Sequence, residues 1–545
     1  MTSVLRRWWP AFSVAALAFA ATITSLGSDF TYDDRGVVFE NARVHALANL
    51  PHLVLETYWP AKLGGDGYRP AVLWMFTVQW VAGHGSPMLF HAVNIALAVA
   101  TALAVFYCAA SVLPPLGAWT AAALFAVHPV HVEVTGNVVG QSELVVALCL
   151  ALAIGIYARK RRLHDLNLSN VVAIAALFGL GLLSKEHAIV LPGILLALEV
   201  TVFREESWPA RIRAVRALAL VLMLVVLGYL YMRGLVQRDL AGFEPYPIFR
   251  FLNMRPIDRI GTMMNEMPRI AQLLVFPTHL SADYSPADVL VANGPDVSQI
   301  PGLFICLGVL VLAVALRAAA PVASLGLFWV IISFLPVSNL ILPAGFVTAE
   351  RTLFFPSVGV ALVAGALAEH VRGTWSPAKR RACAAALGVL LALGLARSVS
   401  RQRVWKNNDV FFDALMQDAP NGYRAHFMHA RHVGLKGRLS EMEKEYRRAI
   451  RIFPYDAAMT MSIADAYTRA GLCKPAVDLF EWTFSVSPDA SDGRYQYVYC
   501  LTKIDRWEDA RRAAIDGLRY AAPRDIPLLR EAVRQTTRKL APAGQ

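Results

Sequence analysis

Two adjacent carboxylates, Asp33 and Asp34, follow directly after the first long apolar run, Pro10 to Gly27, in the string SDFTYDD. Neighbouring carboxylates repel, so one holds a raised pKa or shares a cation while the other stays ionised, a pairing suited to proton transfer. Further polar residues sit at the ends of later apolar runs. Arg69 lies in Tyr68-Arg69-Pro70, His91 and Asn94 in FHAVN, and His128, His131 and Glu133 in HPVHVE. Gln141 and Glu143 come soon after, followed by Lys185, Glu186 and His187 in SKEH, Asp283-Tyr284 in a long polar stretch, and Glu350-Arg351 just before the run that starts near 352. Charges at membrane depth are costly and by default mark function. The chemistry this set supports is displacement at a carbon bearing a phosphate leaving group. Asp33 would take the proton of an acceptor hydroxyl; Asp34 would orient the acceptor, bind a divalent metal (Mg or Mn) or exchange roles with Asp33. Arg351, Lys185 and Arg69 would stabilise charge developing on the phosphate.

Each of these residues also has a bland reading. An acidic pair in a loop is commonly a solvated turn or a helix cap, although its place at the mouth of an apolar run favours chemistry here. Lys185 and Glu186 would simply neutralise each other, and His128 would satisfy backbone groups at a helix end. His131 and Glu133 have metal-compatible spacing only in the loosest sense, and His91 and Asn94 suit helix packing.

The elements that must position these residues are membrane helices. Of 545 residues, 56% are hydrophobic and 17% charged, and apolar runs of about 17 to 25 residues, the length that spans a bilayer, recur. Eleven spans are expected, at roughly 10–27, 88–112, 116–132, 142–158, 169–184, 188–203, 214–235, 299–316, 320–340, 352–370 and 381–399. The first reads as a retained signal anchor. With the N-terminus in the cytoplasm, the basic loops at 159–166, 204–216 and 371–381 fall inside, as the charge rule requires. The net charge of +12 is thereby accounted for, and nucleic-acid binding is not expected. The outer face receives 28–87, 133–141, 184–188, 236–298, 341–351 and everything beyond about 400, hence every polar cluster above. Residues 262–276 are expected to form an interfacial helix on that face. The six cysteines show no metal-ligand spacing and require no disulfide framework. A composition rich in Ala, with Arg far outnumbering Lys, points to a bacterium with a GC-rich genome.

Past residue 400 the pattern becomes that of a soluble domain. Pro420, Pro454 and Pro488 recur at a period of 34, and Pro523 follows. One unit carries Gly437, Tyr446, Ala449 and Pro454; the next carries Ala464, Tyr467, Gly471, Ala476, Phe480 and Pro488. Small residues let paired helices approach, aromatics fill the groove and proline ends the second helix, which is the tetratricopeptide signature. The expected division is therefore a membrane domain over 1–400 and an α-solenoid of about three repeats over 401–545. Such an array presents a surface for a peptide or extended partner, or else only stabilises or dimerises its neighbour.

The ordered strings FTYDDRGVVFEN, YRPAVLWMF, FHAVNIAL, LFAVHPVHVEVTGNVVGQSELV, LLSKEHAIVLPG, FPTHLSADYS, FLPVSNLILPAGFVTAERTLFFPSVG and WKNNDVFFDAL resemble the transmembrane and tetratricopeptide repeat-containing protein family of O-mannosyltransferases. The resemblance implies an all-α, polytopic GT-C membrane domain with its active site on the lumenal or periplasmic face. It also implies a polyprenyl- or dolichyl-phosphate-linked sugar donor, inversion at the anomeric carbon, an acidic first-loop motif at Asp33-Asp34, and matches at Glu350-Arg351 and Lys185-Glu186. Two departures stand out: the repeat array is shorter than in animal members, and their Gly-Arg string reads Gly140-Gln141 here. The expectation is a bacterial inner-membrane enzyme with a periplasmic repeat domain. It would move a hexose, in the first place mannose, from a polyprenyl-phosphate donor in the membrane lipid to a protein Ser or Thr recruited by the repeats. The competing readings are transfer to a glycolipid or envelope polysaccharide, and a non-catalytic membrane-anchored repeat scaffold.

Overall fold

The computed structural model describes residues 3–61, 65–237, 254–341, 343–344, 346–521 and 525–541. Its regular elements are helices, with no β-strand among the described residues. Proline sets many of the starts: Pro70, Pro87, Pro115, Pro321, Pro356 and Pro377 each open a helix. The first turn leaves its N–H groups unpaired in any case, and the proline ring fixes a helical φ.

Each of the eleven expected spans contains a helix. Six helices among the described residues are long and apolar enough to cross a membrane: Trp8–Gly27, Pro87–Val112, Val138–Arg162, Trp208–Gln237, Val297–Ala319 and Pro377–Trp405. Others are shorter, such as Pro115–Ala126 and Leu191–Val200, and short 3-10 turns lie next to them, among them Pro129–His131 and Glu186–Val190. Leu220, Leu224 and Leu227 on one long helix, and Leu303, Phe304 and Val311 on another, are exposed. A helix that is apolar all round yet faces outward suits hydrocarbon rather than water. Within the expected outer loop 28–87 the structure adds a helix, Pro70–Ala82. Over the expected interfacial segment it has the helix Pro256–Val275, whose inward side carries Met263, Met264, Met267, Ile270, Leu273 and Leu274.

Helix Pro356–Thr374 touches two neighbours at backbone distance. A Cβ on Gly359 would overlap the carbonyl oxygen of Gly326, and one on Gly365 that of Gly117, with the reverse true in both pairs. Lipid offers no hydrophobic drive for helices to associate, so close backbone packing of small residues provides much of the attraction.

The described residues fall into two compact units. One comprises Met1–Glu244, Asp258–Tyr284 and Val289–Ala419; the other comprises Pro245–Ile257, Ser285–Asp288 and Pro420–Gln545. The second unit contains antiparallel helix pairs: Tyr423–Leu435 with Leu439–Ile452, Ala457–Arg469 with Cys473–Val486, and Arg494–Lys503 with Trp507–Gly517, followed by Ile526–Leu540. The tight turn inside each pair has one left-handed residue, Gly437 (φ +77), Gly471 (φ +76) and Asp505 (φ +59), 34 residues apart. Equivalent side chains also repeat their contacts: Arg448 reaches the carbonyl of Pro420 and Trp482 that of Pro454. Pro523 lies outside the described residues. Cys473 and Cys500 are joined by a disulfide, with Cα atoms 4.8 Å apart, a pairing not expected from their separation in sequence.

Candidate active site

The first long helix ends in a 3-10 turn at Gly27, and the chain then runs through Ser28–Tyr32 to the acidic pair. The two carboxylates meet different surroundings. Asp34 is fully buried. Its Oδ2 accepts the backbone N–H groups of Thr31 (3.3 Å) and Val138 (3.1 Å), and its Oδ1 that of Val139 (2.9 Å). Burial pushes its carboxyl up to about 7, against the downward pull of those three donors. Asp33 is half-buried. The loop is held from behind by the chain that follows the last long helix. Asp29 N–H donates to the Lys406 carbonyl (2.8 Å), Thr31 Oγ1 to that of Trp405 (3.2 Å), and Tyr32 N–H to Asn408 Oδ1 (2.8 Å).

The three candidate cations are each paired with a glutamate from a distant segment. Arg69 donates to Glu186 through Nη2 (2.8 Å) and Nε (3.2 Å), and its guanidinium lies 4.6 Å from the centre of the Tyr58 ring. Lys185 pairs with Glu143, which also accepts from Ser142 Oγ (2.7 Å). Arg351 binds Glu133 twice, through its backbone N–H (2.8 Å) and its guanidinium. Lys185 and Glu186 therefore cross-pair with Glu143 and Arg69 instead of neutralising each other.

The pairs share one electrostatic neighbourhood. Burial lowers the pKa of the Lys185 ammonium against the pull of Glu143, and Arg69 and Arg351 lower it further. Burial likewise works against the charge on Arg351, but Glu133, Asp33 and Glu143 together hold its pKa above the usual value. Burial would raise Glu186, yet Arg69 and Lys185 keep it far below the ordinary carboxylate range. His187 is pushed by burial to about 4 and is neutral at pH 7. Asp33, Arg69, Glu133, Glu143, Lys185, Glu186 and Arg351 thus converge from five separated stretches of chain.

The remaining expected residues flank this cluster. Glu350 is buried, and its Oε1 accepts from Ser281 N–H (2.5 Å) and Tyr284 Oη (2.8 Å). Burial pushes its carboxyl up to about 8. Asp283 closes the same turn through its backbone, donating to Ser281 Oγ (3.2 Å) and accepting from it (2.9 Å). His128 Nε2 lies 3.1 Å from the Leu274 carbonyl, and its Nδ1 accepts from Val130 N–H (3.3 Å), as a helix-end histidine would. His131 pairs with Ser357 Oγ at 2.8 Å between the rings of Phe125 and Phe354. Asn94 donates to the Asn137 carbonyl (2.8 Å), a packing contact. Gln141, where the animal members it resembles have arginine, exchanges two 2.8 Å hydrogen bonds with Gln79. Among the described residues no group of three His, Cys, Asp or Glu is placed to hold a metal ion. Asp34, expected as a possible ligand, has both oxygens on backbone donors instead. Sequence reasoning gave Glu143 no role and overlooked Tyr58. Glu143 and Lys185 are 42 residues apart, and no local pattern links them.

No protein-family model matches the chain. A protein O-mannosyl-transferase of Caenorhabditis elegans is 25% identical over 455 residues, covering 81% of this chain and 62% of its own length. Human protein O-mannosyl-transferase TMTC4 is 26% identical over 490 residues, covering 80% and 65%. Drosophila melanogaster protein O-mannosyl-transferase Tmtc1 is 28% identical over 499 residues, covering 74% and 57%. The chain is homologous to the TMTC protein O-mannosyl-transferases. The chain spans 57% to 65% of the length of these three relatives. Among solved structures, the archaeal oligosaccharyltransferase AglB from Archaeoglobus fulgidus, in complex with an inhibitory peptide and a dolichol-phosphate, aligns with a TM-score of 0.43 and 14% identity. That alignment covers 76% of this chain and 58% of that one.

Proposed function

We propose that this chain is an inverting GT-C-type membrane glycosyltransferase that moves a hexose, mannose in the first instance, from a polyprenyl-phosphate carrier to a protein Ser or Thr hydroxyl. The observation that carries the reading is the convergence of Asp33 with three Arg/Lys–Glu pairs at the ends of apolar helices. In the proposed step the acceptor oxygen forms a bond to the anomeric carbon from the face opposite the phosphate. The bond from that carbon to the phosphate oxygen breaks, and its electron pair leaves on the phosphate. Asp33 takes the hydroxyl proton. Arg351, Lys185 and Arg69 stabilise the phosphate charge that develops. Glu133, Glu143 and Glu186 hold these cations in register, and Asp34 fixes the loop that carries Asp33. The printed names of the relatives support the sugar and the protein acceptor.

In this reading eleven helices cross the membrane, Pro256–Val275 lies at the outer interface, and the 34-residue helix pairs after Ala419 form a tetratricopeptide array that presents the acceptor. The site and the array share the periplasmic face of a bacterial inner membrane. The Cys473–Cys500 disulfide supports that sidedness, because such bonds persist in oxidising compartments.

The test is transfer of labelled mannose from synthetic polyprenyl-phosphate-mannose by purified protein to a pool of periplasmic proteins, compared with Asp33→Asn. Labelled protein with the wild type and none with the variant is expected. Label appearing only in lipid would move the acceptor to a glycolipid. Equal labelling by both proteins would remove Asp33 from the mechanism.

A further inference from the structure

The stretch after the last long helix, residues 405–412, belongs to the same compact unit as the acidic loop and touches it at Asp29, Thr31 and Tyr32. Tyr32 holds a left-handed backbone (φ +56) immediately before Asp33. For a side chain of this size that conformation is costly and persists only where the surroundings enforce it. The enforcing contacts come from far along the chain. Tyr32 N–H donates to Asn408 Oδ1 (2.8 Å), and the Tyr32 ring stacks on Phe411 with centroids 5.0 Å apart. The segment is itself seated firmly: Trp405 is buried against Gly136, where a Cβ would meet its ring at 2.9 Å, and Gln402 donates to Thr135 Oγ1 (2.6 Å).

Two successive asparagines divide the work. Asn407 caps its own helix, Asn408–Asp418, by accepting from Val410 N–H (3.0 Å). Asn408, the first residue of that helix, turns its side-chain carbonyl across to the loop. We infer that Asn408 is a positioning residue of the active site, holding Tyr32 in the left-handed turn that presents Asp33 to the Arg351 neighbourhood. This inference rests on the proposed role of Asp33 as base. It gives the segment between the membrane helices and the repeats a part in the chemistry rather than the role of a spacer.

The experiment uses full-length protein carrying Asn408→Ala, Asn408→Asp or Asn407→Ala, in the mannosyl-transfer assay and by amide hydrogen exchange. Misplacing a reacting group by about 1 Å costs roughly 10²-fold in rate, so Asn408→Ala is expected to lower kcat by about that factor with donor KM unchanged. Asn408→Asp keeps the acceptor oxygen and is expected to restore most of kcat. Asn407→Ala removes only a cap and is expected to leave kcat near wild type. Exchange at the Tyr32 amide should quicken about fivefold or more in Asn408→Ala and stay slow in Asn407→Ala. Wild-type kcat in Asn408→Ala, or equal loss in both alanine variants, would overturn the inference. If the wild type itself transfers no sugar, the functional reading fails; unchanged Tyr32 exchange in Asn408→Ala would then overturn the positioning role as well.

Discussion

The two carboxylates of the acidic pair should separate cleanly under the same substitution. In Asp34→Asn the amide can accept through one oxygen only, while Asp34 now satisfies three backbone N–H groups with two. With the amide oxygen in the Oδ1 position, the NH₂ faces the Thr31 and Val138 donors. In the flipped orientation it faces the Val139 donor instead. Each buried donor left unsatisfied costs about 1–3 kcal/mol, and the amide's own hydrogens are stranded too. Relief from burying a charge opposes this loss and depends on pH. A carboxyl held at about 7 rather than 3.8 is ionised at pH 8 at a cost of about 4 kcal/mol, so at pH 8 Asp34→Asn should lie close to the wild type in stability. At pH 4 the folded carboxyl is protonated, the relief is nearly gone, and the lost donors should cost about 1–3 kcal/mol. Asp33→Asn, at a half-buried position, should lower transfer by about 10²–10⁴-fold, the usual worth of a general base. The assay is thermal unfolding of purified protein in detergent at pH 4 and at pH 8, run beside mannosyl transfer. An equal melting shift for Asp34→Asn at both pH values, together with activity lost as fully as in Asp33→Asn, would refute the division of roles.

Glu350 supplies a pH test. Its folded value, about 8, lies above the ordinary 4.5, so its contribution to stability is full below 4.5 and is lost as pH rises through 8. The melting temperature should fall as pH rises from about 4.5 to 8 and level off above that. Glu350→Gln, which still accepts from Ser281 and Tyr284, should flatten that slope. Gly359→Leu should lower stability by about 1–3 kcal/mol or more through overpacking, whereas Gly388→Leu, at a site with nothing within 4 Å, should be tolerated; detergent melting compares them. Mass-resolved alkylation of unfolded, unreduced protein should find Cys108, Cys149, Cys306 and Cys383 reactive and Cys473 and Cys500 blocked. Reduction should cost the second unit about 2–4 kcal/mol. A chain ending at Ala419 should keep slow tyrosine-32 exchange, and one ending before Trp405 should lose it.

The members of the candidate cluster were legible in the sequence, but its wiring was not. Acids and cations at the ends of apolar runs are conspicuous because hydrocarbon excludes them, so Asp33, Arg69, Glu133, Lys185 and Arg351 could be singled out one by one. Which carboxylate meets which cation depends on the loops that helix packing brings together. Lys185 therefore took Glu143 rather than its neighbour in sequence. The unequal fates of Asp33 and Asp34 likewise depend on N–H groups at Val138 and Val139, more than a hundred residues away. The 34-residue period was readable because it recurs in turn geometry. At the third turn Asp505 takes the left-handed position that glycine holds in the first two. Helix Pro70–Ala82 is only 13 residues long and lies inside a polar stretch, so length alone hid it. The Cys473–Cys500 bond joins two helices of different pairs, a proximity that exists only once those pairs have stacked.

The glutamates that hold Arg69, Lys185 and Arg351 also bear on turnover. In the proposed reaction the donor is a phosphodiester with a single negative charge. The spent carrier is a monoester with a second ionisation near pH 6. The product is therefore more anionic than the substrate, and three bare cations would retain it and stall the enzyme. With a carboxylate standing beside each cation, departure of the carrier becomes an ion exchange in which Glu133, Glu143 and Glu186 reclaim their partners as the lipid leaves.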